Sequence, residues 1–273
     1  MIEAPYPEFE ELLTSIGEAG QRLSEIEACE GAAGNISVYI GWNIEPRRRF
    51  PLVETIQLPQ AVPELANRTF LVTGSGCRLR EIIRDPLANL ACLVIDEDGL
   101  TGHLYTSPRR LFTNLTSEFN SHLAIHYDQV MTTGANFQVV IHAQPLYLTH
   151  LSHIPRYQDT VYLNQHILRW QPELIVHLSD GVGYLPFCVP GSQKLMEQTL
   201  QGLRKHRIVV WGKHGVMARS DLSVKRTSDR IEYAETGAKY EYLNLVNHEL
   251  GEGLSAEEIR SVCEGFKISQ SIF

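Results

Sequence analysis

Short apolar runs that each stop at a turn constrain this chain most. Residues 35–40, 70–72, 90–95, 138–141 and 208–211 are mostly β-branched or apolar. They meet Gly31-Ala32-Ala33-Gly34, Thr73-Gly74-Ser75-Gly76, Asp96-Glu97-Asp98-Gly99, His142 and Gly212-Lys213-His214-Gly215 respectively. Apolar runs of this length bounded by turn formers are strands. Between them lie stretches with helical spacing, so helices and strands must share one core. The interleaving predicts an α/β fold in a single domain over 1–273, with the strand order left open.

Apolar spacing predicts helices over 8–28, 117–131, 192–204, 221–250 and 255–265, and a mainly helical stretch over 146–170 interrupted near Pro155. Ser255 followed by Glu258 is a capping-box pattern. Residues 100–105 read as a hairpin partner of 90–95, 174–178 as a further strand, and 41–68 as an irregular excursion.

A length of 273 residues with 43% hydrophobic content can bury a core without staples. Acidic residues outnumber basic ones, 32 to 24, which argues against nucleic acid as a partner. Five cysteines with no CxxC spacing read as reduced thiols of a cytoplasmic protein. No signal peptide and no apolar run of membrane length is visible, so no membrane partner is expected.

Two histidines, His142 and His214, end apolar strands and open into turns, where sites are common. Residue 144, on the same side of an extended strand as 142, is Gln, a weaker and harder donor than imidazole. Glu118, His122 and His126 share one face of the 117–131 helix and form a competing metal face. Thr116 and Ser117 stand at that helix's start, where free N–H groups favour anions. The hydroxyl-bearing turn at 73–76 and the turn at 34–35 could join them as donors to one phosphate.

Read in order, Gly34-Asn35-Ile36-Ser37, Phe70-Leu71-Val72-Thr73-Gly74-Ser75-Gly76, Asp85-Pro86-Leu87-Ala88-Asn89-Leu90, Thr116-Ser117-Glu118 and Val140-Ile141-His142-Ala143-Gln144 resemble the class II aldolase/adducin family. Asp180-Gly181-Val182-Gly183-Tyr184-Leu185-Pro186, Val189-Pro190-Gly191 and Lys213-His214-Gly215-Val216 continue the series. The resemblance covers nearly the whole chain. It is nearest to the rhamnulose-1-phosphate aldolase branch, with the fuculose-1-phosphate branch more distant.

That resemblance implies a three-layer α/β/α fold around a mainly antiparallel central sheet. It also implies a homotetramer with sites near subunit interfaces and a divalent metal, usually zinc. The implied reaction is metal-dependent cleavage of a ketose 1-phosphate to dihydroxyacetone phosphate and an aldehyde. By position, His142 and His214 match metal-binding histidines, and Gln144 stands where the family has its second metal-binding His. Glu118 matches the acid/base carboxylate. Asn35, Ser75, Gly76, Thr116 and Ser117 match the residues that hold the substrate phosphate. Glu173 matches a further functional acid contributed near the neighbouring subunit, and Ala32 replaces an additional phosphate-binding Asn.

The change at 144 leaves three readings open: a weaker zinc site, a site for a harder metal, or none. A non-catalytic binding module of the adducin kind and a related pentulose-phosphate epimerase or thiosugar-phosphate dehydratase are the alternatives to the aldolase.

Overall fold

The computed structural model describes residues 1–248 and 251–270. Along the chain run α1 (Phe9–Glu25), β1 (Asn35–Ile40), β2 (Leu52–Gln57), β3 (Thr69–Thr73), α2 (Leu79–Ile82), α3 (Pro86–Asn89), β4 (Leu90–Ile95) and β5 (Thr101–Thr106). Then follow α4 (Phe119–Thr133), β6 (Phe137–Ala143), α5 (Leu146–Leu151), α6 (Thr160–Ile167), α7 (Pro172–His177) and β7 (Gly183–Leu185). The last elements are α8 (Gln193–Leu203), β8 (Ile208–Trp211), β9 (Gly215–Ser220), α9 (Val224–Asn247) and α10 (Ala256–Phe266).

Helix ends follow local chemistry. The Ser192 hydroxyl accepts from the Leu195 N–H at the start of α8, and Ser255 and Glu258 form the expected box at α10. Helix α4 ends on Gly134 in the left-handed region. The two glycines inside α1 allow close approach to α2. A Cβ on Gly20 would lie 2.4 Å from the Leu79 carbonyl oxygen, and one on Gly17 2.7 Å from the Ile83 Cα.

Among the described residues nine strands form one sheet in the order β2-β5-β4-β3-β1-β6-β9-β8-β7. Strands β7 and β8 run parallel, joined through α8, and the other neighbouring pairs are antiparallel. The sheet is therefore mixed rather than purely antiparallel: one of its eight neighbouring pairs, at the β7 edge, is parallel. A helical crossover returns the chain in the same direction, as parallel pairing requires.

Three spans differ from the sequence reading. The 174–178 run is helical within α7, not a strand. Five apolar residues suit either state, and Pro172 at the first helical position pre-sets a helix. The 41–68 excursion contains β2, an edge strand whose residues are mostly exposed and so lack an apolar pattern. The turn at 212–216 runs directly into β9, whose Ala218 and Arg219 give no clear strand signal. The 221–250 helix spans Val224–Asn247, and the expected last residues 249 and 250 lie outside the described residues.

Central strands β1 and β6 are buried along their whole length. Alternation divides their side chains. Ile36, Val38, Ile40, Val139, Ile141 and Ala143 pack with residues of α1, α5 and α9. Val140 packs on the opposite side with Ile125 of α4 and with Leu195 and Leu203 of α8. Asn35, Ser37 and Gln138 share this second face. It is the polar exception to the core, and the candidate site grows from it.

Candidate active site

Pairing of β1 with β6 sets Asn35 directly opposite His142. Glu118 caps α4 and is 4% exposed. Its Oε2 accepts from the Asn35 amide at 2.9 Å and lies 3.7 Å from His142 Nε2. Its Oε1 lies 3.7 Å from Nε2 of His214, which the β8–β9 turn delivers. Lys213 in that turn has φ +64°, a backbone conformation that non-glycine residues rarely adopt. Its N–H donates to the Ser152 hydroxyl at 2.7 Å, which holds the turn.

His142 donates from Nδ1 to the Val216 carbonyl at 2.8 Å, so in the neutral ring Nε2 is the nitrogen available as a ligand. Its ring stacks on Trp211, with centroids 4.8 Å apart. Burial and the neighbouring His142 hold His214 below its ordinary pKa, and Glu118 partly offsets them. One ligand atom from each of Glu118, His142 and His214 falls within 4.8 Å of the others. Two neutral imidazoles and a carboxylate suit zinc and similar divalent ions, and three protein ligands leave an open position for a reactant.

The 73–76 turn and the 114–117 segment that leads into α4 meet beside this triad. Gly74 bridges Leu115, the Ser75 N–H donates to the Asn114 carbonyl at 2.8 Å, and the Thr116 N–H donates to the Thr73 carbonyl at 3.1 Å. These bonds bring Ser75 and Gly76 alongside Thr116 and Ser117. Ser75, Gly76 and Ser117 are exposed, while Thr116 is buried with its hydroxyl 3.4 Å from the Glu118 N–H. One N–H of the Asn35 amide is used on Glu118, and its oxygen faces His122.

Strand β6 ends at Ala143, so strand alternation does not extend to Gln144. The Gln144 N–H instead donates to the Ala28 carbonyl at 2.7 Å. Gln144 and His214 line a cavity of about 810 Å³ that also takes in His150, His153 and Lys213. Glu173 is exposed in the first turn of α7, which packs on α9 and α10, and is not among the residues gathered at Glu118. Ala32 is exposed in the turn before β1.

The competing metal face on α4 does not form. Glu118 turns to His142 and His214, and both nitrogens of His122 and of His126 are occupied by hydrogen-bond partners. Reading from the residues missed Ser37, Gln138 and Trp211 at this site. The available signal was alternation: polar Asn35 and Ser37 at every second place in an otherwise apolar strand mark a polar stripe.

Residues 14–242 match the model of the class II aldolase and adducin N-terminal domain. A rhamnulose-1-phosphate aldolase of Escherichia coli O81 (strain ED1a) is 31% identical over 217 residues, covering 78% of this chain and 77% of that protein. A sugar-phosphate aldolase structure from Thermotoga maritima superposes with a TM-score of 0.75 at 24% identity, covering 89% of this chain and 99% of the other. An L-fuculose 1-phosphate aldolase structure superposes with a TM-score of 0.59 at 18% identity, covering 97% and 100%. At those identities the two structures speak for the fold, whereas the family match spans the elements that carry Asn35, Glu118, His142 and His214. The chain belongs to the class II aldolase and adducin family.

Proposed function

We propose that this protein is a metal-dependent lyase that cleaves a ketose 1-phosphate of the rhamnulose 1-phosphate kind to dihydroxyacetone phosphate and an aldehyde. The convergence of Glu118, His142 and His214 beside two donor turns carries the reading. His142 and His214 would hold a divalent ion, zinc by the donor set, with Gln144 as a further oxygen donor and Glu118 beside it. Such an ion, when bound, stabilises negative charge on a substrate oxygen as a Lewis acid.

The chain's own residues do the rest. Glu118 moves the proton as the carbon–carbon bond breaks, held in place through Oε2 by Asn35. Ser75, Gly76, Thr116 and Ser117, with the free N–H of Asn35, offer donors to the phosphate and so orient the far end of the sugar. Glu173, exposed on α7, is assigned to the site of a neighbouring subunit in a homotetramer.

Helices on both faces of the sheet support the three-layer α/β/α reading, with 1–273 as one domain. No helix among the described residues is long and apolar enough to cross a membrane. All five cysteines are free, which suits the cytoplasm we assign.

The test is release of dihydroxyacetone phosphate from L-rhamnulose 1-phosphate by the purified protein, with zinc, cobalt or manganese and with chelator. Metal-dependent release supports the reading. A folded protein that takes up none of the three metals and cleaves no ketose 1-phosphate points to a binding module instead.

A further inference from the structure

His122 and His126 are fully buried and take no part in the reaction proposed above. They lie in an unbroken polar run. Glu118 accepts from Asn35, whose Oδ1 meets His122 Nε2. His122 Nδ1 is 2.6 Å from the Ser37 hydroxyl, which is 2.7 Å from His126 Nε2. His126 Nδ1 is 3.0 Å from the Gln138 amide.

The donors along this run can be assigned in only one way when Glu118 is ionised. A carboxylate only accepts, so Asn35 turns its N–H to Glu118 and its oxygen to His122. That oxygen also only accepts, so His122 carries its proton on Nε2. Burial keeps both rings neutral, leaving His122 Nδ1 bare to accept from Ser37. The Ser37 oxygen then accepts from His126 Nε2–H, and His126 Nδ1 must be met by the amide nitrogen of Gln138. Gln138 Nε2 lacks a partner with the amide turned the other way. Exchanging its oxygen and nitrogen, which are nearly the same size and shape, satisfies the last link.

We propose that His122 is a positioning residue for Glu118: its Nε2–H, held in that tautomer by Ser37 and His126, fixes the Asn35 amide so that an N–H stays aimed at Glu118 Oε2. The functional part rests on Glu118 acting at a metal site as described above; the tautomer assignment does not.

Two variants separate positioning from packing. In His122→Gln the amide nitrogen reaches the place of Nε2 and can still donate to Asn35. In His122→Asn the side chain reaches only the place of Nδ1, facing Ser37. Zinc titration by calorimetry reads the consequence, with thermal melting as the check on folding. Zinc affinity is expected to fall about tenfold or more in His122→Asn and to stay within about threefold of the parent in His122→Gln. Equal weakening in both variants, or in neither, overturns the proposal.

Nitrogen NMR of the parent histidines is expected to show the Nε2–H tautomer at His122 and His126, and an Nδ1–H tautomer at His122 overturns it. If the parent takes up no zinc, the metal reading fails on its own. Exchange of the Asn35 side-chain amide then decides the relay: slow in the parent and His122→Gln and fast in His122→Asn supports it, and equal rates in all three refute it.

Discussion

The Nδ1 of His142 donates to the carbonyl of Val216, 2.8 Å away on the neighbouring strand. Val216 follows His214 by two residues and sits opposite Ala143 in the β6–β9 ladder. One turn therefore does two things. It presents His214, and its first strand residues orient His142 so that both Nε2 atoms look toward Glu118. Outer hydrogen bonds of this kind commonly set the direction and basicity of a ligating imidazole.

Gly215 sits inside that arrangement. A Cβ there would lie 2.4 Å from the Ala143 carbonyl oxygen, 3.0 Å from Gln144 Cγ and 3.1 Å from His142 Cε1. Two of these neighbours belong to buried strand β6 and cannot swing away. Gly215→Ala is expected to cost about 1–3 kcal/mol of stability and to weaken zinc binding. Urea midpoints and zinc titration measure both, and a variant that matches the parent in the two would show that this packing has no bearing on the site.

Glu118→Gln keeps an oxygen for Asn35 but removes the proton acceptor. Cleavage of L-rhamnulose 1-phosphate is expected to fall by about 10²–10⁴-fold with the urea midpoint little changed. Stopped-assay release of dihydroxyacetone phosphate reads the rate. A parent-like rate would remove Glu118 from the chemistry.

Gln144→His restores an imidazole beside His214. Zinc is expected to bind about tenfold or more tightly, the scale on which changes around a metal site move affinity. Elemental analysis and competition with a chelator check this. An unchanged affinity would mean that residue 144 does not face the ion.

Acid is expected to destabilise the fold, and the sign follows from three buried groups. Burial pushes His122 well below its ordinary value and His126 down to about 3, so both stay neutral when folded. Once unfolded, each takes a proton below about pH 6.5. Glu235 acts in the opposite sense. Burial raises its carboxyl to about 7, against the lowering effect of the Tyr147 and Leu148 N–H groups that it accepts. The folded chain thus holds a proton there that the unfolded chain releases above about pH 4.3.

Between about pH 4.5 and 6.5 the unfolded state binds two more protons at the histidines and one fewer at Glu235. From these groups stability falls by about 1.4 kcal/mol per pH unit on acidification, and above about pH 7 they contribute no slope. In Glu235→Gln the fall is expected to steepen to about 2.7 kcal/mol per unit. Urea unfolding across the window gives both slopes, and equal slopes would show that Glu235 is ionised in the folded protein.

Sequence alone determined what local chemistry controls. The box at Ser255 and Glu258 and the cap at Ser192 depend on a few neighbouring residues, and both formed where expected. Ordered family motifs also pointed to Glu118, His142 and His214 from three separate places in the chain, and these three converge.

Tertiary structure decided the rest. Residues 174–178 carry too short an apolar run to choose between strand and helix, and their state depended on Pro172 and on packing against α9 and α10. Edge strand β2 pairs on one side only and shows no apolar stripe, so nothing local announced it. Asn35 faces His142, and Ser37 links two rings of α4, because β1 pairs with β6 in one register and α4 covers that face. A register is chosen by burying whole faces at once. A side chain's hydrogen-bond partners follow from that choice, across more than eighty residues of chain for Asn35 and Glu118.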